Sequence, residues 1–80
     1  MNIIDIREGI EGSADNFSAM LIRLVMKADY RNRQTLKLAY PTAVMAVEIY
    51  QTDCPYVDGD RSQVDWNEIE SILVRSGYLV

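Results

Sequence analysis

Carboxylates crowd the second half of this chain at a spacing that could hold a hard cation. Asp58-Gly59-Asp60 is followed by Asp65 and Glu68, and Trp66 and Ile69 begin an apolar run. Calcium takes about six to eight oxygen ligands, and a loop that delivers acids before a bidentate glutamate at a helix start supplies them. The register fails in three places. With Glu68 as the last ligand, one residue too many separates it from Asp60. Arg61 or Ser62 stands where the turn needs glycine. Tyr56 or Val57 falls on the first ligand position, and neither has a carboxylate. An Asp-Gly turn and a capping pair, Asp65 with Glu68 three residues on, account for each of these residues without a metal. No metal and no cofactor is expected.

Catalytic chemistry has still less to work with. The sequence holds no histidine and one cysteine, Cys54, which removes imidazole acid–base catalysis, most zinc sites and any intrachain disulfide. Cys54 precedes Pro55 with no histidine to draw off its proton, so a thiolate nucleophile is not expected. The acid pairs Asp58/Asp60 and Glu68/Glu70 need burial or mutual approach before either would work as an acid or base. No glycine-rich phosphate loop is present. A non-enzymatic protein is expected.

What remains is charge, and it is segregated along the 80 residues. Residues 1–15 carry Asp5, Glu8, Glu11 and Asp15 against Arg7, a net −3. Residues 16–40 carry Arg23, Lys27, Arg31, Arg33 and Lys37 against Asp29, a net +4. Residues 41–70 carry Glu48, Asp53, Asp58, Asp60, Asp65, Glu68 and Glu70 against Arg61, a net −6, and Arg75 brings the chain to −4. Arg23 with Lys27, and Arg33 with Lys37, are each one helical turn apart, which gives a small basic patch that could face phosphates. The acidic half offers the opposite surface. Spaced carboxylates at Asp53, Asp58, Asp60 and Glu70, with Tyr56 exposed beside them, could compete for a basic groove that answers mainly to negative charge.

These groups must be positioned by helices. Asn2 can cap a short leader with Ile3, Ile6 and Ile10 at helical spacing, weakened by Gly9 and Gly12. From Phe17 the set Phe17, Met20, Leu21, Leu24, Val25 and Ala28 follows the template of an amphipathic helix, and Ile22 and Met26 widen its apolar face. Asp29 can cap a third helix from Tyr30. Pro41 must end it and suits the first turn of the next, which runs to Gln51. Val44–Tyr50 also alternates as a strand would, and the alanines favour helix. Residues 51–63 read as a loop. Asp65 caps a last helix over Trp66–Ser76, and Gly77 can end it in a left-handed turn, after which Tyr78-Leu79-Val80 could fold back.

One all-α domain over residues 1–80 is therefore expected, a small bundle of about four helices with a short N-terminal helical leader and the Phe17–Ala28 helix at its centre. Its expected core is Phe17, Met20, Leu21, Leu24, Val25, Leu36, Val44, Val47, Trp66, Ile69, Ile72 and Leu73, so that Leu24→Ala would cost about 2–5 kcal/mol. A domain this small buries only about 60–65% of its unfolded surface, which leaves room for self-association or a partner. No membrane-spanning stretch and no signal peptide is read in the chain. A lone cysteine fits a reducing cytoplasm.

Over residues 15–41 the run Asp15-Asn16-Phe17-Ser18-Ala19, Leu24-Val25-Met26-Lys27-Ala28-Asp29, Asn32-Arg33, Leu36 and Tyr40-Pro41 resembles small accessory proteins encoded by bacteriophages and other mobile elements. That group has no established activity, so the resemblance carries over no functional residue. It implies a context, the host cytoplasm, where short acidic phage proteins bind and inhibit host machines, anti-CRISPR and anti-restriction proteins among them. The expected function is a non-enzymatic protein–protein interaction module of this inhibitor type, meeting a host nucleoprotein complex through the acidic surface. The alternative is a small regulator that touches nucleic acid through Arg23, Lys27, Arg31, Arg33 and Lys37.

Overall fold

The computed structural model describes residues 1–80. It contains five α-helices: α1 Ile3–Glu11, α2 Phe17–Lys27, α3 Tyr30–Ala39, α4 Pro41–Thr52 and α5 Trp66–Arg75, with a single 3-10 turn at Val57–Gly59. Asn2, Asp29 and Asp65 cap α1, α3 and α5 as the sequence offers, and Asn16 caps α2. Asn2, Asn16, Asp29 and Asp65 accept from the backbone N–H of Asp5, Ala19, Asn32 and Glu68 at 2.8–3.0 Å, each satisfying one of the orphan donors of a helix start. Pro41 is the first residue of α4. Residues 44–50 are helix throughout.

The leader is a full member of the bundle. Ile6 is wholly buried on α1, and Gly9, which looked like a weakness, is where α1 crosses α2. A Cβ at Gly9 would lie 2.7 Å from Ile22 Cγ2 and 3.0 Å from the Ala19 carbonyl, and would also meet Ile22 Cβ. Two terms oppose each other in Gly9→Ala. Helix propensity gains up to about 1 kcal/mol, whereas overpacking a closed contact costs about 1–3 kcal/mol. The clash involves a branched side chain and a backbone oxygen, so Gly9→Ala should be net destabilising by about 1–2 kcal/mol, read as a lower urea midpoint at unchanged slope.

The central helix is α4, not α2. Ala43, Val44, Ala46 and Val47 are all buried, and α4 packs against each of the other four helices, as expected of a helix that is apolar on most sides. Ten buried side chains from α1, α2, α4 and α5 form one cluster. Beyond α5, Gly77 takes φ +82°. The returning tail is tied down by Tyr78 and Leu79 N–H groups on the Leu73 carbonyl, 2.8 and 3.2 Å, and by the Thr42 hydroxyl on the Tyr78 carbonyl, 2.7 Å.

The expected core is corrected on α2. Its buried side chains are Ala19, Leu21, Ile22 and Val25, so the packed face is turned by about a third of a revolution from the stripe centred on Phe17 and Leu24, at ~100° per residue. Phe17, Met20 and Leu24 are 68%, 57% and 54% exposed. The wide apolar face is two faces, one packed and one open. Leu36, Trp66 and Ile72 are half-buried, and the remaining expected core residues are buried.

Candidate functional site

The open face of α2 is the principal candidate. Phe17, Met20 and Leu24 recur at intervals of three and four, so they stand in one row along two helical turns. With Leu21, Arg23 and Lys27 they line a groove of about 530 Å³. Leu24 and Lys27 also line a second groove of about 460 Å³, which continues onto α3 through Asn32, Thr35 and Leu36. At the other end the Phe17 ring sits 6.1 Å from Tyr40, tilted at 57°. The row is thus a ridge with apolar ground on both sides. Helix α3 has no buried residue. It packs on α4 and leaves its groove with α2 open.

The five basic residues of the alternative reading take different roles. Arg23 Nη2 donates to the carbonyls of Glu8, 3.2 Å, and Gly12, 3.1 Å, closing the end of α1. Arg33 donates from Nη2 to the Val25 carbonyl at 2.9 Å and from Nη1 to Gln51 Oε1 at 2.9 Å, joining the end of α2 to α4. Its Nε is buried without a partner. Lys27 and Arg31 are exposed and Lys37 is half-buried. Two of the five guanidinium or ammonium groups therefore bind the protein's own backbone.

The acidic residues are spread over the connection from α4 to α5. Asp53, Asp58 and Asp60 are exposed and Glu70 is half-buried on α5. The two ion pairs of the fold lie elsewhere, Arg7–Glu11 at 2.7 Å and Arg75–Glu68 at 3.2 Å, so none of these four carboxylates is in an ion pair. Backbone and side-chain hydrogen bonds from Ser62 hold the Asp60 carboxyl below its usual range. Asp58 takes φ +52° and Gly59 φ +74°, the left-handed pair an Asp-Gly turn requires. Tyr56, expected to be exposed, is half-buried. It bridges Val64, and the flanking bonds from Val57 N–H to the Gln63 carbonyl and from Asp65 N–H to the Pro55 carbonyl, both 2.9 Å, pair the two limbs of the connection with each other. Burial pushes the Cys54 thiol up, and Tyr56 offsets part of that rise, which favours the unreactive thiol.

No group of three carboxylate or thiol ligands converges anywhere in the fold. Asp60 is turned onto Ser62, 2.9 Å from its N–H and 2.7 Å from its hydroxyl, and Asp65 onto the N–H of Glu68. A thermal melt with calcium should therefore superimpose on one with chelator. An upward shift of several degrees with calcium would show a site that assembles on binding.

Between α1 and the connection, Arg7 lies 6.0 Å from the centre of the Trp66 ring, on which Tyr50 also stacks, ring centres 6.2 Å apart. No family model, no curated protein and no solved structure matches this chain. No helix is long and apolar enough to cross a membrane.

Sequence reasoning missed the α2 face because it assigned those residues to the core. The signal was there in the excess width of the stripe: Ile22 and Met26 beside Phe17, Met20 and Leu24 are more apolar positions than one packed face can use.

Proposed function

We propose that this protein is a non-enzymatic protein–protein interaction module, of the host-directed inhibitor type implied by the resemblance over residues 15–41, anti-CRISPR or anti-restriction proteins included. The observation that carries this reading is the exposed row Phe17, Met20 and Leu24. Scattered apolar residues on a surface need no explanation, but a contiguous apolar row framed by charge marks a place where another surface docks. Aromatic and methionine side chains are the types enriched at such places. The acidic connection supports a second contact in the same module, because Asp53, Asp58 and Asp60 are exposed and unpaired and present an uncompensated field to a basic partner.

Affinity capture from a lysate of the native host, with and without nuclease, tests the reading. A defined protein complex recovered in both samples, and lost with Leu24→Glu, supports the α2 face. Loss on joint replacement Asp53→Asn, Asp58→Asn and Asp60→Asn assigns the acidic contact as well. A catch that vanishes with nuclease, or one indifferent to both sets of changes, overturns the proposal.

A further inference from the structure

We infer that the groove between α2 and α3 receives an acidic amphipathic helix of a partner protein. This inference rests on the α2 face being the docking surface and adds the chemistry of what docks. Phe17, Met20 and Leu24 present apolar side chains at i, i+3 and i+7, a spacing that meshes with the apolar stripe of another helix. The groove continues past Leu24 to Leu36 on α3, and Tyr40 closes the end at Phe17. Its length, about two to three helical turns, suits a helix better than an extended strand, which would need a sheet edge to pair with.

The sign of the partner follows from the rim. Lys27 lines the groove beside the apolar row and is exposed, and Arg23 adds its charge to the same rim while its Nη2 holds the Glu8 and Gly12 carbonyls. The acid that reaches this surface, Asp29, is engaged by the Asn32 N–H at 2.8 Å as the cap of α3. Carboxylates flanking the apolar stripe of an incoming helix would meet cations on the rim, whereas lysines there would meet like charge. The same reasoning disfavours a second copy of this chain. A two-fold axis on the ridge would set Arg23 and Lys27 of both copies together. Nucleic acid fits less well too, since three apolar side chains would have to lie against phosphates.

The probes are two designed fluorescent peptides of about four to five turns, with the same leucine stripe and either glutamate or lysine on the flanks. They are titrated by anisotropy into the whole protein, with amide shifts mapped by NMR. The glutamate peptide should bind at least about tenfold more tightly than the lysine peptide, a preference that salt reduces. Its shifts should cluster on Phe17–Lys27 and Asn32–Leu36, and Leu24→Glu, checked as folded by circular dichroism, should abolish it. Equal binding of both peptides, or no binding of the glutamate peptide, overturns the acidic helix. So does sedimentation of the free protein as a dimer that Leu24→Glu dissociates, or competition for the same amides by single-stranded DNA. If the peptides fail while capture from lysate still depends on Leu24, only the class of occupant falls. If capture ignores Leu24, the docking face itself falls.

Discussion

Ile22→Ala should lower the stability of this protein by about 2–5 kcal/mol, while Leu24→Ala, two residues away on the same helix, should cost about 1 kcal/mol or less. Ile22 is fully buried in the contact between α1 and α2, and Leu24 is 54% exposed. Removing Ile22 beyond its Cβ leaves a cavity against Gly9, and little can collapse into it because α1 already touches α2 at that point. Removing the end of Leu24 mostly reduces contact between leucine and water. Urea melts of the two variants measure the difference directly, and the chain is small enough that the Ile22 variant should lose much of its margin. Equal losses, or a greater loss at Leu24, would mean that α2 is rotated in solution and that its open face is the packed one.

The contrast also marks where the sequence was sufficient. Helix starts were legible because their chemistry is local: Asn2, Asp29 and Asp65 each lie three residues before the N–H they bind, and Pro41 admits few placements. The turn at Asp58-Gly59 and the left-handed Gly77 were legible for the same reason. Which face of α2 packs was not, because it depends on what lies opposite. The choice is made by Gly9, whose missing side chain lets α1 approach Ala19 and Ile22 closely, and a periodicity count along α2 holds no information about Gly9. The central position of α4 was hidden similarly. Its small apolar residues Ala43, Ala46, Val44 and Val47 give it no single dominant stripe, which is what a helix contacted from several sides requires.

The candidate site shows the same division between local and distant causes. Segregation of charge along the chain is a sequence property and survives folding as an acidic connection and a basic α2–α3 region. Which of those charges are free is not. Arg23 and Arg33 are 11 and 8 residues from the Gly12 and Val25 carbonyls they bind, and those carbonyls lie at the C-terminal ends of neighbouring helices, where intrahelical donors run out. A basic side chain near a helix C-terminus has an attractive alternative to solvent or phosphate in the exposed carbonyls there.

That division sets a second expected result at the basic segment. Arg33→Ala should destabilise the fold by about 1–3 kcal/mol, because a hydrogen bond from a charged donor to the Val25 carbonyl is lost, which leaves that carbonyl only the Ala28 N–H at 3.2 Å. The link to Gln51 goes with it, although the unpartnered buried Nε holds the loss toward the lower end of that range, since its desolvation is also removed. Arg31 is exposed on the same helix and Arg31→Ala should change stability by no more than about 0.5 kcal/mol. Urea midpoints for the two variants check both values. The pair then separates structure from binding. If the alternative function holds and the segment contacts nucleic acid, Arg31→Ala should weaken that binding and flatten its salt dependence by about one unit while the melt is unchanged. A loss of nucleic-acid binding seen with Arg33→Ala alone, accompanied by its lower midpoint, would instead reflect the opened junction between α2, α3 and α4. The guanidinium of Arg33 is committed to holding that junction, and a phosphate could recruit it only by releasing the end of α2.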